Sequence, residues 1–197
     1  MNDVMDRIIA LARLTFEDPR AGVRQLLAEA VPLPARTLGL ALMAVASALL
    51  WHFWFMLLPP EDPVAAFMSQ SPLRTAVVQW VALAATVLLT FWIGRNFDGH
   101  GNLPDTLLVM VWLQTIMIAL RVVQLLALVI SPPIAMLLEI TKVAVYFWLY
   151  SSFVAELHGF ASRWQVFGAT LGIGFGIALM LATVLITILG PERFAGV

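Results

Sequence analysis

Arg121, Glu139 and Lys142 are ionisable residues inside two long apolar runs, which a Ser131-Pro132-Pro133 corner joins. An ionisable group at membrane depth costs about 2.5–3.5 kcal/mol on insertion scales, so such groups are paired, line a wet cavity or take part in function. In an antiparallel pair turning at this corner, residues whose numbers total 263 lie level: Arg121 with Lys142, and Gln124 with Glu139. Arg121 and Gln124 are one turn apart on one helix, and Glu139 and Lys142 one turn apart on the next, so each pair shares a face. This predicts a diagonal contact between Arg121 and Glu139. Arg121 is ten residues from the corner, roughly 15 Å deep at the helical rise. Gln114 extends the polar stripe and Tyr146 extends the Lys142 face, while His52 and Gln79 fall at comparable depth on other runs. A partly polar cavity fits this pattern. Two chemistries remain open: a buried ion pair that fixes the register of the hairpin, and a site or path for a small ligand, lipid headgroup, ion or proton.

The elements that must position these groups follow from composition. The chain has 197 residues, 61% hydrophobic and 12% charged, with a mean hydropathy of +0.94. A soluble domain is nearer 45–50% apolar and about 25% charged, so the fold class predicted is an all-α transmembrane bundle. Five runs suit a crossing of about 20 residues: 35–58, 73–94, 104–130, 133–157 and 164–189. Backbone groups in lipid must bond internally, which makes these runs helices. The domain organisation predicted is a cytoplasmic amphipathic segment over 1–33, a five-helix membrane domain over 34–190 and an external tail over 191–197.

The first 33 residues carry nine charges, unlike a cleavable leader with its unbroken apolar core. They read as two short helices divided at Asp18-Pro19, a cap followed by a first-turn proline. Their apolar stripe (Val4, Met5, Ile8, Ile9, Leu11, Ala12) suits either an anionic membrane surface or the underside of the bundle. With the N-terminus cytoplasmic, Arg7, Arg13, Arg20, Arg24, Arg36, Arg95 and Arg163 lie inside, and Arg74 and Arg193 outside. That bias obeys the positive-inside rule and puts the C-terminus outside. Ten of eleven basic residues are Arg, which with heavy Ala and Leu use suggests a GC-rich bacterial genome.

Gly168, Gly172 and Gly176 repeat at a spacing of four, a doubled small-residue motif that lets another backbone come close. Packing within the chain is the favoured use, with a second chain as the other. Arg95, Asp98 and His100 mark a tight inner-face loop, and His158 precedes Gly159 as a polar residue at a helix C-terminus. The chain has no Cys, and no H-E-x-x-H, G-x-S-x-G, Walker A or G-x-G-x-x-G motif. No catalytic residue, cofactor or metal site is predicted, and an enzyme is disfavoured. A net charge of −1 gives no reason to expect nucleic acid. The expected partners are the bilayer and either another membrane protein or a second copy.

Three motifs carry a resemblance. They are Asp18-Pro19-Arg20, then Gly94-Arg95-Asn96-Phe97-Asp98-Gly99-His100-Gly101 leading to Val111-Trp112-Leu113-Gln114, and Phe153-Val154-Ala155-Glu156-Leu157-His158-Gly159-Phe160. With five spans, the chain resembles a bacterial member of the Ypt-interacting-protein (Yip) family. The resemblance implies a multi-pass protein of the bacterial inner membrane, and the glycine stripe, the amphipathic N-terminal segment and the absence of catalytic sets make a non-enzymatic scaffold or adaptor the expected role. Eukaryotic relatives bind Rab GTPases in vesicle traffic. A bacterium has no Rab system and the segment before the first span is only about 33 residues, so GTPase binding is not implied here.

Overall fold

The computed structural model describes residues 2–189. These form eight helices: α1 (Asn2–Glu17), α2 (Pro19–Ala28), α3 (Leu33–Leu57), α4 (Pro63–Ser69), α5 (Pro72–Asn96), α6 (Leu103–Ile130), α7 (Pro132–His158) and α8 (Arg163–Leu189). The tail expected over 191–197, with Arg193, lies outside the described residues.

Local chemistry sets the helix limits. The Asp18 carboxylate accepts from the Arg20 and Ala21 amides at 3.0 and 3.1 Å, and Pro19 supplies a fixed φ at the first helical position. Asp62 and Asn102 repeat the cap, accepting from the amides of Ala65 and Asp105 at 2.8 Å each. Gly159 ends α7 in the left-handed region, φ 74°, where a Cβ is disfavoured. The short α4 occupies a segment that the sequence reading treats as a break. Its Asp62-Pro63 start uses the same chemistry as Asp18-Pro19, and Arg74 lies 3.7 Å over the Phe67 ring.

By length and composition, α3, α5, α6 and α7 are long and apolar enough to cross a bilayer. The fifth expected run forms the 27-residue α8. α3 packs on α5 and α6, α6 on α7, and α7 on α8. The bundle is dense at the end carrying α1 and α2, here called its base. There α6 is buried almost all round from Thr106 to Leu113, and α7 is buried at Leu149, Phe153, Ala155 and His158. At the far end, beside the Ser131 corner, Ile130 and Met136 are more than two-thirds exposed. An apolar exterior of this kind suits lipid contact.

The two readings of the N-terminal segment divide between its helices. α2 packs beneath α6 and α7, burying Val23 and Leu26. α1 turns Leu11 and Thr15 inward and leaves Val4, Met5, Ile8 and Ile9 exposed. The fully buried Thr15 hydroxyl donates to the Leu11 carbonyl at 2.7 Å and accepts from Trp112 Nε1 at 3.1 Å. Gly22 of α2 sits against Thr15 so closely that a Cβ there would be 2.7 Å from the hydroxyl.

The glycine stripe corrects an expectation. A Cβ on Gly168, Gly172, Gly174 or Gly176 would meet nothing within 4 Å among the described residues. α8 meets α7 through a different face, burying Val166 and setting Phe167 edge-on to Phe147 at 5.8 Å. Among the described residues, therefore, these glycines do not mediate packing.

Replacing Thr15 by Val keeps its shape and leaves the Trp112 indole N–H without its acceptor. An unsatisfied buried donor costs about 1–3 kcal/mol. Thr15→Val is expected to lower the Tm of the detergent-solubilised chain and to speed tryptic cleavage within α1 and α2. Unchanged values would mean that this bond does not hold the N-terminal segment in place.

Candidate functional site

Two constellations concentrate the polar chemistry of the bundle. The first is at the base. His158, expected as a polar residue at a helix C-terminus, is 1% exposed. Its ring is enclosed by glycines: a Cβ on Gly94, Gly99 or Gly101 would come within 3.0 Å of it. The ring stacks on Phe160 at 5.6 Å with 18° between planes. The helix end bonds directly to the loop before α6, the His100 amide donating to the His158 carbonyl at 3.1 Å. Inside that loop the Gly99 amide donates to the Gly94 carbonyl at 2.9 Å. Neither imidazole nitrogen forms a hydrogen bond, although the Thr90 carbonyl is close.

Ionic and polar contacts surround this seat. Arg24 of α2 pairs with Glu156 at 3.0 Å, and Arg20 donates to the Phe160 and Ala161 carbonyls at 3.1 and 3.2 Å. Arg36 of α3 reaches Asp105 and the Pro104 carbonyl on α6, both at 2.7 Å. Arg95, Asp98 and His100 are exposed, and Asp98 is at φ 59°. Of the four residues predicted at the inner-face loop, only His158 is enclosed. Among the described residues no three His, Cys, Asp or Glu side chains converge to hold a metal.

The second constellation is in the far half. Gln124, fully buried, joins the charges: its amide donates to Glu139 Oε2 at 2.5 Å and to the Ala135 carbonyl at 3.3 Å, and its oxygen accepts from Lys142 Nζ at 2.8 Å. Lys142 also meets Glu139 Oε2 at 2.6 Å. The level pairing of Gln124 with Glu139 is present. The direct Arg121–Glu139 contact is not: no carboxylate lies within 4.0 Å of Arg121 among the described residues. Its guanidinium lies over the Trp51 ring at 4.2 Å and reaches Trp54 at 5.6 Å. A planar, weakly hydrated cation stacks well on an indole, and Lys142, one turn from Glu139 on α7, takes the carboxylate.

Gln114 is held from α3, donating to the Ser47 hydroxyl at 2.9 Å. Beside it a cavity of about 80 Å³ is lined by Ser47, Trp51, Gln79, Gln114, Arg121 and Lys142, with apolar neighbours. The structure thus brings Gln114, Arg121 and Lys142 together around a space, with Gln124 and Glu139 on the other side of Lys142. Tyr146 departs from the cluster and stacks on Tyr150 at 5.7 Å, and His52 does not line the cavity. The glycine seat was not readable as a unit. Its only sequence signal is three glycines at 94, 99 and 101 and a lone histidine far along the chain.

A larger lateral crevice of about 480 Å³ opens between α5 and α8 over Tyr150 and Val154 of α7. Thr90 on its wall shares a hydrogen bond of 2.9 Å with the Tyr150 hydroxyl.

A family model described as the Yip1 domain matches residues 14–186. No curated protein and no solved structure matches the chain. The matched stretch contains all three sequence motifs, and the structure joins them. Trp112 bonds to Thr15 above Asp18-Pro19-Arg20, and the glycines of the second motif enclose the histidine of the third.

Gly94→Val is expected to force His158 from its seat and to cost about 1–3 kcal/mol or more, the range for overpacking. Adding His158→Ala should recover part of that loss in a detergent unfolding titration. A double variant no more stable than Gly94→Val would remove the steric explanation. Gln124→Leu leaves Glu139 and Lys142 each short of a partner, and about 1–3 kcal/mol of destabilisation is expected. An unperturbed Gln124→Leu would show that the ion pair stands without its amide.

Proposed function

The chain belongs to the Yip1 domain family, and from that premise we propose a non-enzymatic scaffold or adaptor of the bacterial inner membrane, which binds a partner membrane protein or organises lipid. In this reading α8 is the fifth span. The base faces the cytoplasm with α1 and α2, and the C-terminus is external. GTPase binding is not part of the role.

The observation that supports the reading is the open face of α8. Gly168, Gly172 and Gly176 stand there, and a Cβ on any of them would meet nothing within 4 Å among the described residues. Small residues on a membrane helix let a second backbone approach, and association in lipid relies on such packing. The favoured occupant is a transmembrane helix of another membrane protein. Gly172→Leu adds bulk where a Cβ would meet nothing within 4 Å among the described residues, so it tests docking separately from folding.

A photo-crosslinking side chain at Phe175, in native membranes, is expected to give a covalent adduct with a membrane protein. Gly172→Leu should remove the adduct and leave the Tm unchanged. An adduct at twice the mass of the chain would make a second copy the partner. Persistence of the adduct in Gly172→Leu would contradict docking on the glycine face. The absence of Cys permits a direct topology test. His100→Cys should be labelled only from the cytoplasmic side and Ala195→Cys only from outside. Labelling of both from one side would overturn the five-span arrangement.

The cavity beside Arg121 and Lys142 favours a second reading, a path for a small ligand, lipid or ion. On that reading Glu139→Gln abolishes flux in proteoliposomes while the protein still inserts.

A further inference from the structure

The walls of the cavity in the far half carry cations and amides but no acid. Arg121, Lys142, Gln79, Gln114 and Ser47 line it, and every one of these side chains can donate a hydrogen bond. The carboxylate of Glu139 lies outside the lining. It is committed to Lys142 Nζ at 2.6 Å and the Gln124 amide at 2.5 Å. The side chain of Glu139 is 45% exposed and that of Lys142 12%, so the acid is on the outer rim and the ammonium on the inner one.

Charge then fails to balance. Arg121 and Lys142 contribute two positive charges and Glu139 one negative, which leaves one cation in excess. The Trp51 ring covers Arg121 at 4.2 Å, but an indole supplies only a quadrupole, not a charge. Buried charge in a membrane is stable when an opposite charge or a full set of hydrogen bonds meets it. A single water needs about 10–15 Å³. The space of about 80 Å³ therefore admits a small anion with a few waters, and it is too small for a phospholipid headgroup.

We propose that this cavity is a binding site for one small monovalent anion of the halide class, held by Arg121 and Lys142 and oriented by the Gln79, Gln114 and Ser47 donors. The site neutralises the excess cation and holds α3, α5, α6 and α7 together at this level. Chloride is the abundant anion that fits this description. The inference deepens the second reading by naming a ligand, but binding does not require a path. Saturable binding without flux would establish the site while removing the path.

The test uses the full chain in nanodiscs, with chloride or bromide replacing gluconate at constant ionic strength. The wild-type Tm is expected to rise with halide and to saturate. Arg121→Gln should abolish that rise. Gln79→Leu, which keeps both cations, should raise the half-saturating concentration about fivefold, as loss of one hydrogen bond does. If Arg121→Gln does not fold, Gln79→Leu and the wild-type titration still decide. Equal stability of the wild type in halide and gluconate would overturn the proposal. A halide effect of the same size in every variant would reduce it to a general salt effect, and overturn it too.

Discussion

The imidazole of His158 sits against Gly94, Gly99 and Gly101 with no room for a Cβ on any of them, and the base of the bundle is organised around that fit. The end of α5, the loop into α6 and the end of α7 must all approach one ring. Once they do, the His100 amide meets the His158 carbonyl, and Phe160 returns beneath the ring. The Phe160 and Ala161 carbonyls are then presented to Arg20, and Glu156 to Arg24. α2 docks on the surface these groups form. The Thr15–Trp112 bond ties the same surface to α1. The close-packed interior of the protein is this cytoplasm-proximal end in the proposed orientation, and neighbours there have little freedom to yield.

The far end obeys a different constraint. Most of its apolar side chains are exposed, so burial of apolar area holds it weakly, and lipid gives helices no hydrophobic reason to associate. Polar contacts take over. Gln124 satisfies both its donor and its acceptor across the hairpin, and Gln114 reaches Ser47 on α3. The arrangement specifies register, a well-attested use of buried polar groups. It also leaves two cations beside a space, so the structural and ligand-binding readings share the same residues. α8 attaches through α7, and a Cβ on Gly168, Gly172 or Gly176 would meet nothing within 4 Å among the described residues.

Helix limits were legible because their chemistry is local. Asp18-Pro19, Pro72, Asn102 and Gly159 each act within a turn, and the helices begin and end within two residues of the predicted runs. The 263 register was legible because a short corner between antiparallel helices leaves little slack, and Gln124 meets Glu139 as that register requires. The partner of Arg121 was not legible, since Trp51 comes from a third helix whose rotation the sequence does not fix. The glycine stripe of α8 states that a backbone can approach, not whose backbone. His158 was read from its helix end alone. Its burial depends on glycines about sixty residues earlier, which local patterning does not connect. The short α4 was missed because its Asp62-Pro63 start follows two prolines that read as a break.

The His158 seat is expected to make the base one cooperative unit. Hydrogen exchange of wild type and His158→Ala in nanodiscs tests it most directly. His158→Ala is expected to lose protection together over α2, the 97–102 loop and the end of α7, with the far half unchanged. Loss confined to residues next to 158, with α2 and the loop still protected, would contradict it.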